Sequence, residues 1–370
     1  MSAAEAEDDI DPLAPRRNPA LVGHQAAEQA LLQAALGGRL PHAIMLGGPR
    51  GIGKATLAYR FARWLMARAE TGQGAGTLIG EASPPNSLAL DPEHPVARRI
   101  SAGGHADLLT VERGWDMKRK KLRGEIVIDD VRAVAGFLRL TPAEGGWRVV
   151  VVDSADEMNR NAANGLLKLL EEPPRRALLL LVCHAPGRLL PTIRSRCRKL
   201  YLQPLAEEEV IGLVRRHRPD LGEADAGALA RLADGSVGRA LELADADGLD
   251  LYRTLLATLG ELPRLDPVAL HRLADRLAGA DAEDAYRTLT ELLMDFLARL
   301  VAGNAEGRSR AVLGDEAELL RRLGADGRLD RWIDVWETLR TLFARADGVN
   351  LDRKQVVLDA FFTLQGAARA

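Results

Sequence analysis

Residues 43–56 read Ala-Ile-Met-Leu-Gly-Gly-Pro-Arg-Gly-Ile-Gly-Lys-Ala-Thr, and this stretch indicates the class of fold. A short apolar run at 43–46 precedes the pattern G-x-x-x-x-G-K at 48–54, and a helical pattern follows it. In such a loop, backbone N–H groups surround phosphate oxygens, the helix N-terminus adds partial positive charge, and the lysine reaches the outer phosphates. The sequence therefore predicts a strand, a helix and, between them, a phosphate-binding loop containing Gly48, Gly51, Gly53 and Lys54.

The residue after the lysine departs from the phosphate-loop pattern. A Ser or Thr there holds Mg²⁺ through its hydroxyl, whereas this chain has Ala55. Thr56 follows, but one residue is a rotation of about 100° around a helix, so we do not expect Thr56 to replace that hydroxyl. Two interpretations stay open: a loop that no longer binds nucleotide productively, and a loop that binds ATP or ADP weakly.

A second apolar run, at 149–152, ends in Asp153 and is followed by Ser154, Ala155, Asp156 and Glu157. ATPases with this arrangement carry an aspartate at the strand end, and a glutamate directly after it activates the attacking water. Here the position of that base is occupied by Ser154, and Glu157 comes three residues later. The sequence thus predicts a nucleotide site that keeps Asp153 but lacks both the metal hydroxyl and the base, and we expect no hydrolysis by this chain.

Composition excludes several classes of protein. With 370 residues, 47% hydrophobic and 28% charged, the chain can form two or three domains and is not disordered as its main state. Two cysteines, Cys183 and Cys197, exclude a disulfide framework and a four-cysteine zinc site. A net charge of −2 argues against binding nucleic acid through global charge, and no apolar run approaches the roughly 18 residues of a membrane span. We expect a cytoplasmic protein without membrane partners.

Short apolar runs alternate with helical patterns over the first half of the chain. The runs at 43–46, 149–152 and 178–183 are not alternating, as is typical of strands buried on both faces of a parallel sheet, so the fold class is α/β followed by α. The predicted division is an acidic flexible tail at 1–17, an α/β core at 18–203 with an insertion at about 71–105, a small helical unit at 204–247 and a larger helical domain at 248–370.

Two long strings resemble bacterial clamp-loader subunits, which belong to the AAA+ family. Residues 159–174 resemble the helix after the acidic strand, and residues 189–197 resemble the signature that ends in Ser195, Arg196 and Cys197. Shorter agreements lie at 22–24, 40–43 and 128–132, so the resemblance covers about 18–204. It implies a RecA-like AAA+ parallel-sheet core, a small helical lid at 204–247 and an all-helical collar at 248–370 for oligomerisation.

A degenerate nucleotide site beside an intact Ser-Arg-Cys motif is similar to the delta-prime branch of that family rather than to its ATP-hydrolysing gamma/tau branch. The resemblance implies that Arg196 acts in trans on a neighbour's ATP, where an arginine finger is worth about 10³–10⁵ in rate. It also implies the partners: gamma/tau and delta subunits, with the sliding clamp and primed DNA in the assembled complex. Cys197 is expected to be a buried small hydrophobe, because no nucleophile pattern accompanies it.

The chain departs from the family in three places. Residues 70–110 contain no cysteine, so the zinc module of many relatives is absent and we expect no metal. In the segment 235–239, Gly238 stands where ATPase relatives have a second sensor arginine, and Arg239 is displaced by one position. His184 follows a strand end where relatives have a polar sensor residue, and both a phosphate contact and a capping role stay open for it.

Other functions also stay open at this point. The basic run Lys118–Arg123 is either a solvated turn or a loop that contacts DNA or a partner. An active ATPase of the gamma/tau type would need Thr56 and Glu157 to replace the missing groups. A scaffold or DNA-binding protein that merely keeps the ATPase fold is the third possibility.

Overall fold

The computed structural model describes residues 14–70, 85–117, 120–144, 146–279, 281–306, 311–314, 316–325, 329–349 and 351–369. The chain divides into two compact units, Met1–Leu205 and Ala206–Ala370. This boundary lies two residues after the predicted end of the core at 203. The further division of the second unit into a lid and a collar at 247/248 stays a prediction.

The first unit alternates strands and helices. Its elements are α1 (Gln25–Leu36), β1 (Ala43–Gly47), α2 (Lys54–Glu70), α3 (Pro95–Ser101), β2 (Leu108–Val111), β3 (Trp115–Asp116), β4 (Lys121–Leu122), α4 (Ile128–Arg139), β5 (Arg148–Val152), a 3₁₀ turn (Ala155–Glu157), α5 (Arg160–Glu171), β6 (Ala177–Cys183), α6 (Pro191–Arg194) and β7 (Arg198–Tyr201). The strands predicted at 43–46, 149–152 and 178–183 are confirmed as β1, β5 and β6.

Five strands form a parallel sheet in the order β2-β5-β6-β1-β7. Every residue of β1, β5 and β6 is buried, because helices cover both faces of the sheet. Successive side chains of β1 enter opposite layers: Ile44 joins the core that contains Phe61 of α2, and Met45 joins the core that contains Leu166 of α5. The predicted α/β class is confirmed.

The second half of the segment predicted to be an insertion, at about 71–105, packs into the core of the first unit. Residues 71–84 lie outside the described part of the chain. Beyond them, Leu88, Val96 and Ile100 are fully buried in the same core as α2, and the last two belong to the helix α3. The described part of the predicted insertion therefore contains a packed helix.

The end of the predicted acidic tail is attached to α2. The buried guanidinium of Arg63 donates hydrogen bonds to the carbonyl oxygens of Arg16 and Asn18, at 2.5 and 3.1 Å. Arg60 donates to the carbonyl oxygen of Pro19 at 2.7 Å. Residues 1–13 of the predicted tail lie outside the described residues.

The described residues of the second unit form helices and their connections. The helices are α7 (Glu207–His217), α8 (Glu223–Leu232), α9 (Val237–Asp245), α10 (Gly248–Gly260), α11 (Pro267–Ala278), α12 (Glu283–Glu306), α13 (Glu316–Gly324), α14 (Leu329–Val349) and α15 (Arg353–Arg369). The stretch 204–247, predicted to be helical, contains α7, α8 and α9. Among the described helices of both units, none combines the length and apolar character needed to cross a membrane.

Candidate nucleotide site and arginine finger

The predicted phosphate-binding loop connects β1 to α2. Gly48, Gly51 and Gly53 have φ angles of 143°, 74° and 101°, in the region that side-chain-bearing residues rarely adopt. A Cβ added at Gly48 would also lie 2.6 Å from the carbonyl oxygen of Leu202. The loop therefore has the backbone conformation that the glycines predict, with the N-terminus of α2 directly behind it.

Lys54 is the first residue of α2 and is only 2% exposed. Its ammonium group donates hydrogen bonds to two carbonyl oxygens of its own loop, that of Gly48 at 2.7 Å and that of Pro49. Burial lowers the pKa of Lys54 to about 8, while the carboxylates of Asp156 and Asp153 raise it and Arg50 lowers it. The lysine predicted to reach phosphate is thus at the site and contacts the loop backbone.

The magnesium side of the site lacks its hydroxyl in the folded chain as well. Ala55 has no hydroxyl, and the neighbouring Thr56 is buried, with 8% of its surface exposed. Asp153 lies directly after the buried end of β5, and burial raises its pKa, with the Glu112 carboxylate adding to that effect. Asp153 is thus the acidic residue that the site keeps at the end of the strand.

The position of the catalytic base is occupied by a hydrogen-bonded pair. Ser154 has a φ of 65°, and its Oγ lies 3.0 Å from Nε2 of His184. The Glu157 carboxylate is 3.0 Å from the Arg113 guanidinium, with which it forms an ion pair. Thr56 is buried and does not supply the missing metal-binding hydroxyl. Glu157 is paired with Arg113 and does not supply the missing base.

His184 sits where β6 ends and is held on both sides. Its backbone N–H donates to Asp156 Oδ1 at 2.8 Å, and the next N–H, of Ala185, donates to Oδ2 at 2.9 Å. Burial lowers the pKa of His184 to about 4, and the positive charges of Lys54 and Arg50 act in the same direction. At neutral pH the imidazole is therefore uncharged and hydrogen-bonded to Ser154.

The depressed pKa of His184 predicts a pH-dependent stability. Between its usual value of 6.5 and about 4, the unfolded chain binds a proton that the folded chain does not, so acidification favours unfolding. We expect the wild type to lose about 1–2 kcal/mol more than His184→Gln between pH 7 and pH 4.5, a value reduced for partial exposure. Thermal unfolding of both proteins across this range measures the difference, and parallel curves would contradict the prediction.

The Ser-Arg-Cys motif lies between α6 and β7. Ser195 and Arg196 are exposed, and Cys197 is buried, with its pKa raised by burial to about 11. Cys197 is therefore an unreactive apolar side chain, as predicted. The Arg196 guanidinium donates to the carbonyl oxygen of Thr192 at 3.0 Å and lies 2.9 Å from the Glu171 carboxylate.

The remaining predicted positions lie apart from this site or outside the described residues. Arg239 forms an ion pair with Asp295 of α12, so the displaced arginine is engaged within the helical unit. In the described part of the chain, no group of three His, Cys, Asp or Glu residues could hold a metal ion. Lys118 and Arg119 are not among the described residues, and Arg123 of the same basic run pairs with Asp130 at 3.5 Å.

Sequence reasoning missed two features. Glu171 contacts Arg196, a pairing that the resemblance of residues 159–174 does not indicate. Three apolar side chains are exposed in or directly before the basic run: those of Trp115, Met117 and Leu122. The only indication in the sequence is that these side chains stand between charged residues. This position does not predict whether an apolar side chain is exposed or buried.

The phosphate loop follows β1, the acidic strand is β5, and β6 lies between these two strands. This topology, with the loop geometry and the Ser-Arg-Cys motif, defines a P-loop domain of the AAA+ class. The family model described as "DNA polymerase III, delta subunit" matches residues 23–206.

Comparison with known proteins narrows this class. The DNA polymerase III subunit delta' of Escherichia coli is 32% identical over 333 residues, 89% of this chain and 90% of the relative. That of Pseudomonas aeruginosa is 41% identical over 171 residues, 46% of each chain. Subunit tau of E. coli is 29% identical over 73% of this chain and 39% of its own length. The chain belongs to the DNA polymerase III delta' family.

Proposed function

We propose that this chain is a non-hydrolysing subunit of the replicative clamp loader, which loads the sliding clamp onto primed DNA. In this role it is a rigid stator that presents Arg196 in trans to the ATP of a neighbouring ATPase subunit. The single observation that carries the proposal is an exposed, hydrogen-bonded Arg196 in a chain whose own nucleotide site lacks two catalytic groups.

The geometry of Arg196 supports the finger role. Its guanidinium is at the surface, and its permanent positive charge suits the negative charge that develops on a transferred γ-phosphate. Its anchors, Thr192 and Glu171, belong to this chain, so the group needs no neighbour to be ordered. A preorganised cation of this kind stabilises a transition state without reorganisation during the reaction.

The chain's own nucleotide site supports the absence of hydrolysis. Turnover needs a metal-binding hydroxyl and a base or water-positioning group. Ala55 supplies no hydroxyl, and Ser154 is hydrogen-bonded to an uncharged His184. An active ATPase of the gamma/tau type is therefore disfavoured, although relatives of this chain include tau subunits.

The phosphate cradle by itself fits a nucleotide. Its glycine backbone, the N-terminus of α2 and Lys54 form the usual surroundings of a phosphate group, whereas the Mg²⁺ ligand is missing at Ala55. We therefore propose that any ATP or ADP held here is bound weakly and is not turned over. The proposed partners are gamma/tau and delta subunits, the sliding clamp and primed DNA, with no zinc and no membrane component.

The purified chain alone is expected to show no ATP turnover above background, because no residue supplies the base or the metal hydroxyl. Lys54→Ala should leave that background unchanged. Phosphate release measured with and without primed DNA checks this result. Turnover that Lys54→Ala abolishes would overturn the proposal in favour of an active ATPase, and equilibrium binding of labelled ATP measures occupancy separately.

A further inference from the structure

The Arg196 side chain is anchored from two different helices. One terminal nitrogen lies 2.9 Å from Oε1 of Glu171, the last residue of α5. The other donates at 3.0 Å to the carbonyl oxygen of Thr192 in α6. Two anchors on separate elements restrict rotation of the long side chain, which is otherwise free at a protein surface.

These two contacts leave most of the guanidinium available. The group has five N–H donors in a planar fork, and the two contacts use two of them. The side chains of Arg196 and Glu171 are 36% and 49% exposed, so the pair lies open to a molecule that approaches from outside. An arriving phosphate can therefore bind the remaining donors without first breaking the ion pair.

The place of Glu171 in its helix adds an independent argument. A carboxylate at the C-terminal end of a helix meets the partial negative charge of the unpaired carbonyl groups, so a nearby cation stabilises it. Arg196 provides that cation. The adjacent Glu172 is also exposed, and in the described part of the chain its carboxylate has no ion-pair partner.

We propose that Glu171 is a positioning residue for Arg196. It holds the guanidinium so that its remaining donors meet the γ-phosphate of the neighbour's ATP, and it does not touch the nucleotide itself. This inference rests on the proposed function of Arg196 as a finger in trans.

The experiment uses the full chain assembled with gamma/tau and delta subunits, the sliding clamp and primed DNA. Glu171→Ala is expected to lower kcat for ATP about two- to fivefold, the range typical of an exposed ion pair, and to leave KM unchanged. Glu172→Ala, which removes the same charge one residue away, should match the wild type. Glu171→Gln, which keeps a hydrogen-bond acceptor without the charge, should give an intermediate kcat.

A double mutant separates positioning from general structural damage. In the Arg196→Ala background, Glu171→Ala should cause no further loss, because its effect passes through Arg196. The inference is overturned if Glu171→Ala turns over ATP at or above the wild-type rate, or if it slows the Arg196→Ala complex further. A normal rate for Arg196→Ala would instead refute the finger role, and the inference with it. Unchanged melting temperatures check that each variant is folded.

Discussion

Replacing Arg196 with Ala is expected to slow DNA-stimulated ATP hydrolysis in the assembled complex without preventing assembly. Under the proposed finger role, Arg196 faces the ATP of a neighbouring subunit, and loss of its guanidinium would remove the charge that offsets the developing negative charge on the γ-phosphate. Arginine fingers contribute about 10³–10⁵ to such rates, so hydrolysis at this site should fall to background. The total rate then reflects only the other ATP sites of the complex.

The measurement is steady-state phosphate release by the reconstituted complex with primed DNA, together with gel filtration to verify assembly. Because Arg196 is exposed, its loss should leave folding and subunit association intact. Arg139→Ala, which removes another exposed arginine of the same unit, is the matched control and should behave as the wild type. An unaltered rate for Arg196→Ala would refute the finger role and favour a scaffold that only keeps the ATPase fold.

Replacing Glu316 with Ala is expected to destabilise the helical unit strongly. Glu316 is fully buried and accepts hydrogen bonds from the backbone N–H of Val312 at 2.6 Å and from Arg299 at 3.2 Å. Its loss leaves a buried amide and the guanidinium of Arg299, whose side chain is 17% exposed, without their acceptor, although Arg299 keeps its hydrogen bond to Tyr252. Removing one partner of a buried ion pair typically costs about 3–5 kcal/mol.

Thermal unfolding of the purified chain tests this expectation, and the transition of the helical unit should shift downward by roughly 10 °C. Glu318→Ala is the matched control, since Glu318 lies in the same helix and pairs with Arg321 at the surface, with both side chains about two-thirds exposed. It should melt with the wild type. Equal melting temperatures for the two variants would show that the buried carboxylate does not stabilise the unit.

Residue types predicted the features that depend on local backbone geometry and on burial along a single element. Three glycines between an apolar run and a lysine led to a loop whose φ angles only glycine adopts easily. The strands β1, β5 and β6 were recognisable because a strand covered on both faces must be apolar throughout. By contrast, β2 and β7 are four residues each and only partly buried, so their sequences carry no comparable signal.

The helix α3 is an element that the sequence did not predict. The Gly, Pro and Ser residues around it are typical of a loop, yet Val96 and Ile100 complete the core beside α2. A helix of seven residues with two basic positions has too short a pattern to be distinguished from a turn. Its assignment depends on the apolar surface that α2 offers, and this surface exists only in the folded chain.

Sequence alone established which groups the nucleotide site possesses. Position 55 is an alanine without a hydroxyl, and position 154 is a serine without a carboxylate. These residue identities do not depend on how the chain folds. The same holds for the Ser-Arg-Cys motif and for the absence of a four-cysteine site.

Tertiary structure alone decided which side chains meet. Glu171 and Arg196 are separated by a strand and a helix, Glu157 is paired with Arg113, and His184 reaches Ser154 from a neighbouring strand. A parallel sheet aligns the carboxyl ends of its strands at one edge and their amino ends at the other. Glu171 and Arg196 precede β6 and β7 and lie at the amino edge, whereas the other two pairs follow strand ends, so the contacts at both edges depend on strand order. The type of a residue determines its local conformational preference and the chemistry of its side chain. Which other side chains it contacts is determined by the topology of the fold.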